Sequence, residues 1–189
     1  MILSSKQQAI QIAREIMEKK PIYLDTETTG IGQTDEIVEI TILDADGKTL
    51  FETLVKPSKP IPIDVIQIHG ISNEMVTREK PWPFFWPTIR GFLINQVIAT
   101  YNADFDHRML NQSHIRYSID VRDPLHFFCI MKLYAQFRGQ WNEKHGSYRY
   151  HKLEDAAIVS GIHLPNIHRS HDDALLAREL LIFMANSKN

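Results

Sequence analysis

The chain is short of several things, and each shortage removes a class of function. It has one cysteine, Cys129, in 189 residues. A single thiol builds neither a disulfide framework nor a four-cysteine zinc site. It has no excess of base: 21 lysines and arginines stand against 23 aspartates and glutamates, for a net charge of −2. That balance argues against a bulk electrostatic binder of duplex nucleic acid, though not against a local basic patch. No uncharged apolar run approaches the ~18 residues of a membrane span, so no membrane partner is expected. The first twenty residues, MILSSKQQAIQIAREIMEKK, scatter charge throughout and do not form a signal peptide. Repeats, low-complexity tracts and Pro/Gly/Ser-rich linkers are also missing. What is present, 43% hydrophobic residues, supplies a core for one domain. The expectation is a soluble, cytoplasmic protein with one domain over 1–189, an N-terminal helix in 1–20 and a core over 21–185.

Ile10, Ala13, Ile16 and Met17 recur at helical spacing and predict a helix from Ser5 to Lys19, capped by Ser4 or Ser5. A strand follows from Pro21 to Thr26, ending at the breaker Thr29-Gly30. The β-rich runs 37–43 and 49–56 flank Ala45-Asp46-Gly47, which signals a hairpin. Prolines 60, 62, 81, 83 and 87 then punctuate short helical pieces. The aromatic stretch Pro81 to Pro87 reads as core packing rather than a partner surface. Further strands are predicted at 97–101 and 117–121, the second stopped by Asp123-Pro124. Helices are predicted at 105–112, 125–137, 153–160 and 171–185. The fold class is α/β: a mixed five-stranded sheet, an antiparallel meander and then parallel strands, flanked by helices.

Three acidic segments stand out. In Asp25-Thr26-Glu27, positions i and i+2 of a strand face the same way, so the two carboxylates point together. Buried, they would repel unless a cation lay between them; at a solvated strand end they need none. Asn102-Ala103-Asp104-Phe105-Asp106 opens a helix, where an acid either favours the dipole or reaches toward the first strand. In His168-Arg169-Ser170-His171-Asp172-Asp173, Ser170 reads as an N-cap with an acidic first turn. No segment is decisive by itself.

Taken in order, they resemble the motifs of the DnaQ-like (DEDDh) 3′→5′ exonucleases. Asp25-Thr26-Glu27-Thr28-Thr29-Gly30 resembles the first motif, and Asn102-Ala103-Asp104-Phe105-Asp106 the second, with the acid on Asp106. His168 with Asp173 five residues later resembles the third motif, and Ile68-His69-Gly70-Ile71 a stretch these proteins carry after the third strand. The resemblance spans roughly Ile22 to Leu181. Three departures are visible: Tyr101 where histidine is frequent, Ser170 where alanine is, and Thr41 where a small residue follows the second strand's glutamate.

The resemblance implies an RNase H-like fold with two Mg²⁺ or Mn²⁺ ions held by Asp25, Glu27, Asp106 and Asp173. It implies His168 as general base, and Thr28, Thr29, Gly30, His69, Asn102 and Phe105 as substrate-binding residues. His69 before Gly70 also suits a plain turn residue. Independently, phosphodiester hydrolysis by two ions about 3.5–4 Å apart needs no protein nucleophile, and neither a nucleophile elbow nor a P-loop is present. Cys129, in an apolar helical pattern, reads as a buried structural thiol. The expected partners are single-stranded nucleic-acid 3′ ends, DNA favoured, with a DNA polymerase or repair complex as a further partner. Two alternatives stay open: RNA trimming, and an adaptor that acts mainly by binding a polymerase. With the last helix running almost to Asn189, such a partner is expected to use the domain face. The segment Arg138 to Lys152 carries four cations, one acid, and Trp141, Tyr148 and Tyr150. It suits a single-strand groove or, equally, an interhelix loop with its aromatics tucked onto the core.

Overall fold

Ser4 starts the first helix through a reciprocal cap: its hydroxyl accepts the Gln7 N–H at 3.2 Å, and the Gln7 side chain accepts the Ser4 N–H at 2.9 Å. The computed structural model describes residues 4–121, 123–164 and 168–188. In chain order its elements are α1 (Ser5–Glu18), β1 (Ile22–Thr28), β2 (Ile37–Leu43), β3 (Thr49–Leu54), α2 (Ile63–His69), α3 (Asn73–Val76) and α4 (Trp82–Leu93). Next come β4 (Val97–Thr100), α5 (Ala103–Arg116), β5 (His126–Cys129), α6 (Ile130–Arg138), β6 (Trp141–Asn142), β7 (Ser147–Tyr148), α7 (Leu153–Val159) and α8 (Ser170–Asn186).

The main sheet has the order β3-β2-β1-β4-β5. β1, β2 and β3 form an antiparallel meander, and β4 and β5 join parallel to β1. The expected mixed sheet is therefore present. Asp44 turns the chain between β2 and β3 by accepting the N–H groups of Asp46 and Lys48 at 2.9 and 2.8 Å. Alternation along β1 divides its side chains between two cores. Tyr23 packs with residues of α1, α6 and α8, while Ile22 and Leu24 pack with α4 and α5. Asp25 and Glu27 continue the Tyr23 face along the strand, on the side that α8 packs against. In α4, Trp82 and Trp86 stack at 5.9 Å and are both buried, which makes this aromatic stretch core packing.

Three expectations are corrected. Residues 117–121 are not a strand. Ser118 takes a left-handed φ of 53° and the Ile119 N–H returns to the His114 carbonyl at 2.9 Å, so this stretch closes α5. Its alternating Tyr117, Ile119 and Val121 still pack on the core, but from an irregular segment. The fifth strand is β5, inside the region read as helix 125–137. Its residues pair with Val97–Thr100, and tertiary pairing overrides the helical spacing of Phe128 and Met131. Cys129 consequently ends a strand, half-buried, rather than sitting within a helix. Lastly, Ser170 does not cap α8: it is the first helical residue, and Arg169 is the N-cap. The polar loop after α6 contains the small antiparallel pair β6–β7.

Candidate active site

Asp25 and Glu27, in the middle and near the end of β1, meet Asp173 from the first turn of α8, with one carboxylate oxygen of each within 4.8 Å of the others. Asp106 stands outside that triplet. It is buried in the first turn of α5 and accepts the Thr26 hydroxyl at 3.0 Å. Four acids in a confined space resist ionisation. Burial, then the charges of Asp106 and Glu27, holds Asp25 well above the usual carboxylate range. Burial and the charges of Asp173 and Glu39 push Glu27 up to about 9. Burial raises Asp106 to about 7. Asp173 is raised to about 6 by burial, with the charge of His168 working against the shift.

These residues fit a divalent cation. The donors are all carboxylate oxygens, which hard ions such as Mg²⁺ and Mn²⁺ prefer. Asp173 Oδ1 is buried and receives no hydrogen bond among the described residues, a state that is costly unless a ligand completes it. A positive charge there would also reverse the mutual repulsion.

An ion pair fixes the third motif. Glu39 lies opposite Glu27 in the β1–β2 pairing and is 2% exposed. Arg169 donates to it through Nε at 3.0 and 3.1 Å and also through Nη2. The Ser170 N–H adds a bond at 3.0 Å. Burial raises the proton affinity of Glu39, but these donors outweigh it and hold the carboxyl below its usual range. The Ser170 hydroxyl lies 2.8 Å from that of Thr41, both buried. Two of the three sequence departures therefore satisfy each other. His168, immediately before this anchor, is exposed and has a left-handed φ of 50°.

Two hollows flank the carboxylates. Thr28, Thr29, Gly30, His69 and Phe105 share one of about 540 Å³ with Glu27. Asn102 lies apart from them, in a groove of about 580 Å³ with His168 and Asp173. Asp35 holds the wall of the first hollow, accepting the Thr29 hydroxyl at 2.8 Å and the Gly32 N–H at 2.7 Å. Gly30 has a φ of 151°, and a Cβ there would fall 2.7 Å from Asp35 Oδ2, so only glycine fits. His69 is buried with both ring nitrogens engaged. Nδ1 accepts the Ile71 N–H at 3.0 Å, which leaves Nε2 to donate to the Thr28 carbonyl at 3.3 Å. Its bonds tie the turn at Gly70 to the end of β1.

Sequence reading missed Glu39, Arg169 and Asp35. A sequence signal existed for Glu39, the one acid within Ile37-Val38-Glu39-Ile40-Thr41-Ile42-Leu43. Every residue of that strand is buried, and a buried acid requires a partner.

The geometry agrees with known proteins. The RNase T exonuclease family model matches residues 22–181. An uncharacterized exonuclease, CP81, of Escherichia phage 186 is 38% identical over 157 residues, covering 80% of this chain and 80% of its own. The DNA polymerase III subunit epsilon of Treponema pallidum is 30% identical over 164 residues, covering 85% of this chain and 74% of its own. The solved structure of exonuclease X in complex with 5′ overhanging duplex DNA superposes with a TM-score of 0.61 at 26% identity, over 88% of this chain and 92% of that one. Among the described residues, no helix is long and apolar enough to cross a membrane. The chain belongs to the RNase T exonuclease family, as a DnaQ-like enzyme of the RNase H-like superfamily.

Proposed function

We propose that the protein is a metal-dependent 3′→5′ exonuclease that removes nucleotides from single-stranded 3′ ends, with DNA as the favoured substrate. The observation that carries this reading is the convergence of Asp25, Glu27 and Asp173 within 4.8 Å, with Asp106 buried beside them. Asp25, Glu27, Asp106 and Asp173 would hold two Mg²⁺ or Mn²⁺ ions. When bound, such ions supply charge neutralisation at phosphorus and make water more acidic. His168 takes the proton of the attacking water. A new P–O bond forms, the bond from phosphorus to the preceding O3′ breaks, and that oxygen gains a proton. A nucleoside 5′-monophosphate leaves. The hollow lined by Thr28, Thr29, Gly30 and Phe105 receives the terminal nucleotide, with His69 bracing its wall. Asp25, Glu27 and Asp173 are half-buried, and Glu27 and Asp173 line the two hollows.

The similarity to a polymerase subunit favours a second reading, that the chain also associates with a DNA polymerase. Copurification tests it. The activity itself is tested with 5′-labelled single-stranded DNA and RNA in Mg²⁺, Mn²⁺ or EDTA. The expected result is a ladder shortening from the 3′ end with metal and none in EDTA, faster on DNA. Full-length oligonucleotides under all conditions would sink the reading, and faster shortening of RNA would reverse the preference.

A further inference from the structure

The hairpin after α6 carries chemistry that the hydrolytic reaction does not use. Between Arg138 and Lys152 four cations stand against Glu143 alone, in a chain of net charge −2. Arg138, Lys144, Arg149 and Lys152 are all exposed. None makes an ion pair with a described residue, whereas Lys59, Arg90 and Lys132 are paired with Asp35, Asp123 and Asp104. The aromatics do not tuck onto the core. Trp141 is 57% exposed and Tyr150 49%. Trp141 lies across from Tyr148 in the β6–β7 pair, the rings edge-on at 5.2 Å, so the indole is braced while most of it faces solvent.

This hairpin leads straight to the site. Its last residues and the start of α7, Tyr150 to Glu154, wall the groove that contains His168 and Asp173. Tyr101, the third departure in the sequence, fastens that wall: its hydroxyl donates to the His151 carbonyl at 2.7 Å. Unpaired cations alone would suit any acidic partner, such as an acidic peptide. Exposed ring faces interleaved with cations suit a chain of bases and phosphates, and only a single strand presents its base faces for stacking.

Resting on the nuclease reading, we propose that the 138–152 hairpin is the track for the single-stranded segment upstream of the terminal nucleotide. Trp141 and Tyr150 stack bases, and the four cations follow the phosphates. The track adds affinity for strands long enough to reach it and none for a dinucleotide.

The test measures binding of a fluorescent twelve-nucleotide DNA to the full chain by anisotropy, in EDTA so that no cleavage occurs. Trp141→Ala should weaken binding by about tenfold, and Trp141→Phe should retain most of it. Lys144→Gln and Arg149→Gln should each reduce the slope of log affinity against log salt by about 0.7. With Mg²⁺, the preference of each variant for the twelve-mer over a dinucleotide, as a ratio of kcat/KM values, should fall by the same factor as its affinity. Binding within twofold of the parent in all these variants would overturn the track. Equal loss on the dinucleotide and the twelve-mer would overturn it as well, because the defect would then lie in the site. Should the parent chain cleave nothing while the variants still bind weakly, the track stands and the nuclease reading fails.

Discussion

Arg169 reaches from the start of α8 to Glu39 on β2, its Nε donating to both carboxylate oxygens at 3.0 and 3.1 Å. One pair thus sets two positions: the acid facing Glu27 across the sheet, and the backbone next to His168. Arg169→Ala would strand Glu39, 2% exposed, without its cation. The guanidinium is itself about a third exposed, so the expected loss is about 2–3 kcal/mol, at the lower end for a broken buried pair. Turnover should fall at least tenfold as the third motif shifts. Arg169→Lys should recover only part of both losses, since an ammonium cannot reproduce the fork. Urea melts and single-turnover rates check this, and an unchanged melting midpoint in Arg169→Ala would refute the anchor.

Without divalent metal, stability should fall as pH rises from 7 to 9. Asp25 and Glu27 hold protons in the folded state to higher pH than in the unfolded chain, with Glu27 at about 9. Over this window the folded state binds more protons than the unfolded one, so rising pH favours unfolding. The slope is on the order of 1 kcal/mol per pH unit for each proton retained. Burial lowers the pKa of His69, His114 and His151 and gives the opposite trend, but only below about pH 6.5, hence the window. Thermal melts in EDTA should therefore drop by several degrees from pH 7 to 9. Mg²⁺ or Mn²⁺ should remove most of the drop, and Asp25→Asn should reduce it while abolishing hydrolysis. A flat EDTA series would contradict the buried-acid description.

Thr41 and Ser170 offer a cleaner measurement of coupling. Their hydroxyls are 2.8 Å apart and buried. Thr41→Val or Ser170→Ala alone leaves one hydroxyl unsatisfied, at about 1–2 kcal/mol. The double variant removes both groups and should cost less than the sum of the singles by about 1 kcal/mol. Strict additivity in denaturant melts would mean that the two hydroxyls do not support each other.

Asp104 and Asp106, two residues apart on α5, should differ sharply. Asp104 is exposed and pairs with Lys132 at 2.6 Å, whereas Asp106 is buried beside the carboxylate cluster. Asp106→Asn should abolish hydrolysis, and Asp104→Asn should leave the rate within twofold, since an exposed pair contributes little. The reverse outcome would put the second motif out of register.

What was legible in the sequence was local. The meander β1–β3 could be read because alternation and the Asp46-Gly47 turn act over a few residues, and the acids because three short motifs resemble those of a known family, spacing alone having left each undecided. β5 was not legible: His126-Phe127-Phe128-Cys129 becomes a strand only because Val97–Thr100 lies beside it. The β6–β7 strands, two residues each, are too short to show a period. Glu39 and Arg169 are 130 positions apart, so nothing along the chain links them. His69 was visible as a candidate, but the engagement of both its ring nitrogens required the fold.

His168 divides a general base from a surface histidine, and its position supplies a control. It is exposed, lines the groove with Asp173, and lowers that acid's proton affinity by its charge. Its left-handed backbone, φ 50°, dictates the choice of variant. Alanine in that region costs about 1 kcal/mol, whereas asparagine tolerates it. His168→Asn therefore removes the imidazole with less disturbance of the loop. It should cut single-turnover cleavage by about two orders of magnitude or more. Binding of a single-stranded oligonucleotide should change little, because the four carboxylates remain. His171, three residues on, is paired with Asp172 at 3.2 Å, and His171→Asn should be nearly silent. Raising the pH should partly restore His168→Asn, as bulk hydroxide replaces the missing base. If His168→Asn hydrolyses at the parent rate at neutral pH, the base lies elsewhere, and the exposed imidazole is only a surface group of the loop.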